Sequence, residues 1–421
     1  MLVKELIRKY SLPTSGKAIL VYPDFPLPKA SKLNLNNLPI ALLKIGACLR
    51  EYGYDIELVF FDNNSQDPNQ TQLFGLSEDS PDIVFVTSVF TYWSESVKDA
   101  VQYYKRKYDA PVIVGGIYAS LMPQHCKEYT GCDEVVVGVM PDAEDVKPAY
   151  DLVDVDFQIL HTTRGCTRQC KSCATYMIEP CYSFKNSIKD EIQYRKLVFY
   201  DNNFLGNPFI DDILDELVEL KRSRTILWCQ CQSGLDGRIL LEKPYLIHKM
   251  KQAGFKNIKI AWDGNYNEHE FIRQQIDIIA GAGYKRKNIS VFMLYNHELP
   301  YIKLEKKRLK CWEYGVQVNH CRYRPLDQLK EKYNPLRDTQ TTEEYYIHPN
   351  WTDYEVKMFS RNVRGHNSCL RWDMLFHSYD YENRRIPQEL MKELRKATPQ
   401  EASKHLPLVY DPSIMHTTST Y

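Results

Sequence analysis

The stretch Phe157–Cys173, FQILHTTRGCTRQCKSC, joins a short apolar run to three closely spaced cysteines. Phe157–Thr162 has the length and content of a buried strand, and Arg164–Cys173 is a polar loop at its C-terminal end. Similar runs follow at Lys196–Tyr200, Ile226–Cys231, Ile258–Trp262, Ile289–Leu294 and Val316–Cys321, starting roughly thirty residues apart, the length of one βα unit. The intervening segments carry helix signals. After Asn207-Pro208, Ile210, Ile213, Leu214, Leu217 and Leu220 fall on one helical face. Pro244–Ala253 and Glu268–Ala282 each end at a glycine, Gly254 and Gly283. Six βα units predict a partial, open (β/α)6 barrel over residues 157–327. The cysteines then sit at the C-terminal end of its first strand, where barrel enzymes place their chemistry.

Upstream, Ala18–Tyr22, Ile56–Phe61, Ile83–Thr87, Pro111–Gly116 and Glu134–Val139 are continuous apolar runs suited to a parallel sheet covered on both faces. Helical patterns over Asn37–Tyr52 and Ser94–Tyr108 supply crossovers. The expected fold class is therefore α/β. A doubly wound, Rossmann-like domain at 1–145 precedes the barrel, and a small C-terminal region at 328–421 follows it. Residues 141–156 are acidic and contain proline, and read as a linker; the C-terminal region is polar and Tyr-rich, without clean periodicity, and ends in an expected flexible tail.

Lys+Arg and Asp+Glu both number 54 in 421 residues, so no charge excess points to nucleic acid or an acidic membrane. The densest basic run, Lys303–Lys310, reads as the solvated face of a helix. Met1–Ser11 mixes charged and apolar residues, and no apolar run approaches the roughly 20 residues of a membrane helix. The expected address is the cytoplasm, where the twelve cysteines stay reduced and point to metal binding, catalysis or packing.

The spacing C-x3-C-x2-C lets Cys166, Cys170 and Cys173 hold three irons of a 4Fe–4S cubane and leave the fourth iron open. This pattern, in this place, resembles the radical S-adenosylmethionine (radical SAM) superfamily over roughly residues 157–327. The resemblance implies an enzyme in which SAM chelates the open iron and is cleaved reductively to a 5′-deoxyadenosyl radical. It also implies an external electron donor such as flavodoxin or ferredoxin. The position before the last cysteine, often aromatic in the superfamily, is Ser172. The residues alone leave another reading open: a non-catalytic protein in which the same cysteines and a fourth ligand, His161 or Cys181, hold structural zinc. The remaining cysteines form no second motif and read as buried thiols.

Polar residues at later strand ends are the candidate SAM and substrate contacts: Asp201, Asn202, Gln230, Gln232 and Asp263. Asn203 and Asp236 read as structural caps. Upstream, Gly115-Gly116-Ile117-Tyr118-Ala119-Ser120-Leu121-Met122-Pro123 looks like the GG-x-[HY]-A-x-x-x-P stretch of the cobalamin-binding subgroup, and Asn36–Tyr54 looks like the first helix of its domain. That resemblance implies cobalamin as a further cofactor, with Gly115 and Gly116 admitting backbone close to it, and methyl transfer as the outcome. A retained domain that only supports the barrel is the alternative. The substrate class, small molecule or peptide, is not legible; no nucleic-acid or membrane partner is expected.

Overall fold

Five apolar runs become strands of one sheet; the three in its middle are largely buried, and the two at its edges are half-buried. The computed structural model describes residues 1–27, 38–62 and 80–372. These fall into two compact units: Met1–Asn202 with Pro325–Glu331, and Asn203–Arg324 with the described residues from Lys332 to Trp372.

The first unit opens with α1 (Val3–Lys9), β1 (Lys17–Tyr22), α2 (Ile40–Glu51), β2 (Asp55–Phe60), β3 (Ile83–Ser88) and α3 (Ser94–Lys107). It continues through β4 (Val112–Gly116), α4 (Ile117–Leu121), α5 (Pro123–Thr130), β5 (Glu134–Val135) and α6 (Pro141–Glu144). The sheet is parallel in the order β2-β1-β3-β4-β5, which is the doubly wound arrangement the sequence predicts. Leu20, Val84, Ile113 and Val114 are fully buried in its middle strands, which explains why these strands read as unbroken apolar runs. The fifth strand is shorter than the expected Glu134–Val139. Val136 still donates to the Val114 carbonyl, but Val137 is half exposed and Gly138, at φ +74°, turns the chain away. The segment read as a linker contains α6, whose Glu144 belongs to the site below. Asn36 and Asn37, at the start of the predicted first helix, lie outside the described residues.

The same unit then holds β6 (Gln158–Leu160), β7 (Thr163–Arg164), α7 (Thr175–Ile178), β8 (Ser183–Phe184) and β9 (Lys196–Phe199). β6 and β9 pair in parallel, whereas β7 and β8 form a two-residue antiparallel clasp. Buried Gln158 accepts the N–H groups of Gln193 and Tyr194 and donates to the Glu191 carbonyl, fixing the chain's entry into β9.

The second unit contains α8 (Ile210–Arg222), β10 (Trp228–Cys231), α9 (Gly237–Glu242), α10 (Tyr245–Gln252), β11 (Lys259–Ala261) and α11 (His269–Gly281). It ends with β12 (Ser290–Tyr295), α12 (Tyr301–Glu313), β13 (Gln317–Arg322) and α13 (Asp353–Arg371). All six strands expected between 157 and 327 form, and β11, β12 and β13 are parallel neighbours. Asp236 caps α9, as expected, by accepting the Arg238 N–H.

Two expectations need correction. The basic run on α12 is not a solvated face: Lys303 and Lys306 are exposed, but Lys307 and Arg308 are each only 1% exposed. Arg308 is paired with buried Glu305, which also accepts from Asn362 of α13. The C-terminal region is not without periodicity either. α13 starts at a capping box in which Thr352 and Glu355 bond reciprocally, and it buries Val356, Phe359, Val363 and Cys369. Asn367 of α13 both accepts from and donates to the backbone of Val318, covering the edge of β13. The expected tail over 373–421 lies outside the described residues. No helix among the described residues is long and apolar enough to cross a membrane.

Candidate functional site

A parallel doubly wound sheet leaves a crevice beyond the carboxyl ends of its strands, at the point where strand order reverses. In the first unit that place holds a cavity of about 410 Å³. Tyr22 ends β1, Val86 to Ser88 end β3, and Gly115 and Gly116 end β4; all line it. The two glycines do different work. Gly116 has φ +102°, and a Cβ there would collide with the Ser88 carbonyl oxygen, so the fold itself demands glycine. At Gly115 a Cβ would meet only Val136, at 3.7 Å, so this glycine keeps the cavity wall open. Ser88 locks the turn by donating to the Gly115 carbonyl and accepting the Ala119 N–H. Tyr118 of the same motif is fully buried and bonded to His125 Nδ1, so it packs rather than binds.

The cysteine loop leaves β6 through His161, Thr162 and Thr163. Asp201, just past β9, holds that exit: its Oδ1 accepts the N–H and hydroxyl of both threonines at 2.6–2.9 Å. Burial outweighs these bonds and raises the Asp201 carboxyl above its ordinary range. Gly165, at φ +71°, lies so close to the Cys181 carbonyl that a side chain would clash. Its N–H donates to Glu179 Oε2 at 2.7 Å. The clasp of β7 and β8 then ties the two ends of the loop together. Cys166, Cys170 and Cys173 are all partly buried and outside any disulfide, whereas Cys181 is exposed. Cys173 bonds to the Thr175 hydroxyl at 3.1 Å; Thr175 donates to Asn202 Oδ1, and Asn202 Nδ2 donates to Glu179. Asn202 thus joins the cysteine loop to the cavity it also lines. Among the described residues no three or more Cys, His, Asp or Glu side chains are gathered as a ready metal site. The three thiols share one tethered loop with the donor chemistry a cubane requires, but the tether does not by itself converge them.

Between loop and cavity runs a chain of charges that the sequence did not reveal. Lys44 of α2 and Arg164 both reach Glu144 Oε2, at 3.1 and 2.6 Å, and Arg164 also reaches Glu179 Oε1 at 3.0 Å. Burial alone would raise the Glu144 carboxyl, but Arg164 and Lys44 outweigh it and hold it below its usual value. Burial lowers Lys44 in spite of its partner. Lys44 lies 100 residues from Glu144, and no spacing pattern links either to Arg164 or Glu179, so the fold brings the four together. His161 lines the same cavity.

The other candidates belong to the second unit. Gln230 of β10 is buried and accepts from Asn257 at 2.9 Å. The backbone carbonyl of Gln232, just beyond β10, accepts from Lys259. Asp263 is exposed, on a loop held at both sides by buried Lys307, which donates to the Trp262 and Gly264 carbonyls at 2.7 and 2.9 Å. Burial lowers the Lys307 amine to about 8.

Residues 30–147 match the B12-binding domain family. No curated sequence matches the chain. Among solved structures, the radical SAM methyltransferase TsrM from Kitasatospora setae, with cobalamin and a [4Fe–4S] cluster bound, superposes with a TM-score of 0.54 at 16% identity, covering 74% of this chain and 77% of that one. The same enzyme with tryptophan substrate and a SAM analogue gives 0.53 at 16% identity over 72% of each chain. The chain therefore shares its fold with these structures, and its residues 30–147 are similar to the B12-binding domain family.

Proposed function

We propose that the chain is a radical SAM enzyme, and that it uses cobalamin to transfer a methyl group to a small-molecule or peptide substrate. One observation carries this: the three-cysteine loop is tied, through Asn202, Glu179 and Arg164, to the wall of the cavity in the B12-binding domain. Cys166, Cys170 and Cys173 would hold the 4Fe–4S cluster, and the cavity closed by Ser88, Gly115 and Gly116 would take the corrin. When bound, the cluster supplies the electron that cleaves SAM reductively, and the corrin supplies a carrier for the methyl group. Asp201 fixes the approach of the cysteine loop, and the Glu144–Arg164–Glu179 chain sets its distance from the cavity. Asn202, Gln230, Gln232 and Asp263 are the side chains offered to SAM and substrate. An external one-electron donor of the flavodoxin or ferredoxin type would complete the system. The four cavity charges cancel in pairs, so the wall meets its ligand as a neutral surface.

Anaerobic reconstitution with iron and sulfide tests the reading. The expected result is a brown protein that forms 5′-deoxyadenosine from SAM and dithionite and keeps a corrin absorption band after hydroxocobalamin and desalting. Cys170→Ala should lose SAM cleavage while keeping the wild-type circular dichroism spectrum. A colourless protein carrying one zinc per chain after the same treatment would refute the assignment.

A further inference from the structure

His161 stands at the end of β6, five residues before the first cysteine of the loop, and its side chain lines the 410 Å³ cavity. It is only 9% exposed. Its ring meets Tyr200 edge-on at 6.2 Å, and neither ring nitrogen has a hydrogen-bond partner among the described residues. The nitrogens are not sealed in packed interior: neither is among the enclosed atoms left without a partner, so they keep access to the cavity and to whatever fills it. The position is not an apolar niche where the ring merely packs, since Lys44, Glu144, Arg164, Glu179 and Asn202 share the same wall. Burial, then Arg164, Lys44 and Lys185, hold its pKa well below the ordinary value, so the ring is neutral and offers one N–H and one lone pair.

The chemistry of the partner follows from the surroundings. Lys44 and Arg164 are committed to Glu144 and Glu179, so the wall has no spare charge for an anion. A neutral group that both donates and accepts suits a neutral imidazole, and a carboxamide is such a group. The rim of the corrin ring carries several carboxamide side chains. We propose that His161 is a binding residue for cobalamin, hydrogen-bonding one of these carboxamides when the corrin occupies the cavity. This rests on the reading that the cavity binds cobalamin.

The test is equilibrium binding of hydroxocobalamin to the reconstituted full-length protein, followed by its visible spectrum. His161→Phe keeps the volume and the contact with Tyr200 but removes both polar functions; its Kd should rise about tenfold. His161→Gln, which keeps a donor and an acceptor, should stay within about threefold of wild type. A second measurement needs no variant. In the wild-type protein, modification of His161 by diethylpyrocarbonate, read by peptide mass spectrometry, should fall at least about fivefold when hydroxocobalamin is saturating. Unchanged affinity in His161→Phe, or equal modification with and without the corrin, overturns the inference and leaves the cavity assignment standing. A wild-type protein that retains no corrin overturns the cavity assignment itself.

Discussion

Asp201 shows how far a single residue's role can be taken from sequence. Its place at the end of the second barrel strand marks it as a candidate SAM contact. The folded chain commits one of its oxygens to four donors on Thr162 and Thr163, which steer the cysteine loop. No local pattern signals that tie, because the partners lie 38 and 39 residues away. Loss of the carboxylate strands buried donors, each worth roughly 1 kcal/mol net. Asp201→Ala should therefore destabilise the protein by about 2–4 kcal/mol, measured by urea unfolding. Groups that orient metal ligands typically change metal retention by tenfold or more, so iron loss to a chelator should be about tenfold faster in the variant. Retention equal to wild type would show that the loop holds its shape without Asp201. The glycines illustrate the converse. The motif marked both Gly115 and Gly116, but only backbone torsion and the Ser88 carbonyl distinguish the one the fold needs from the one the cavity needs.

At the level of elements, the strands were legible because burial on both faces leaves continuous apolar runs, and the crossovers because glycine stops are local. The burial of Lys307 and Arg308 was not legible, since Lys307 turns to the Trp262 and Gly264 carbonyls and Arg308 to Glu305, which Asn362 of α13 also holds. α13 carried one readable sign, the Thr352–Glu355 capping box, in a segment otherwise dominated by polar residues. The contact between β13 and α13 also predicts a pH effect. His320 bonds to the Ser360 hydroxyl at 2.9 Å, and burial, with Arg364 nearby, lowers its pKa from 6.5 to about 4. The unfolded chain therefore binds the proton more readily between these values. The stabilisation is complete above pH 6.5 and is lost as the pH falls towards 4, by up to about 3 kcal/mol. Urea unfolding at pH 7 and pH 4.5 should show this loss, and His320→Gln should reduce it. An unaltered pH slope in the variant would assign the effect elsewhere.

For the molecule as a whole, the seam between compact units falls after Asn202, where the sequence shows no boundary. The strands Gln158–Leu160 and Lys196–Phe199 fall in the same unit as the segment that matches the B12-binding domain family. The reason is tertiary: Lys44, Glu144, Arg164 and Glu179 are a network spanning both stretches, and no composition change in the chain announces it. A ligand held by this unit should stabilise it by mass action, by about 2.7 kcal/mol at one hundred times its Kd. Hydroxocobalamin at that excess should raise the midpoint of thermal unfolding by a few degrees, and an unshifted melt would count against corrin in this cavity.

The antiparallel clasp of Thr163–Arg164 with Ser183–Phe184 has a consequence for how such a protein matures. It closes the cysteine segment into a ring with backbone hydrogen bonds; Glu179, within the ring, accepts from Gly165, and Asp201, beyond it, accepts from Thr163. No bond to iron is needed to close it. On the proposed reading, folding and metal insertion would be separate events: the chain would reach its native shape first and then receive iron and sulfide. The same separation would let a protein that had lost such a cluster to oxygen be repaired by refilling rather than by new synthesis.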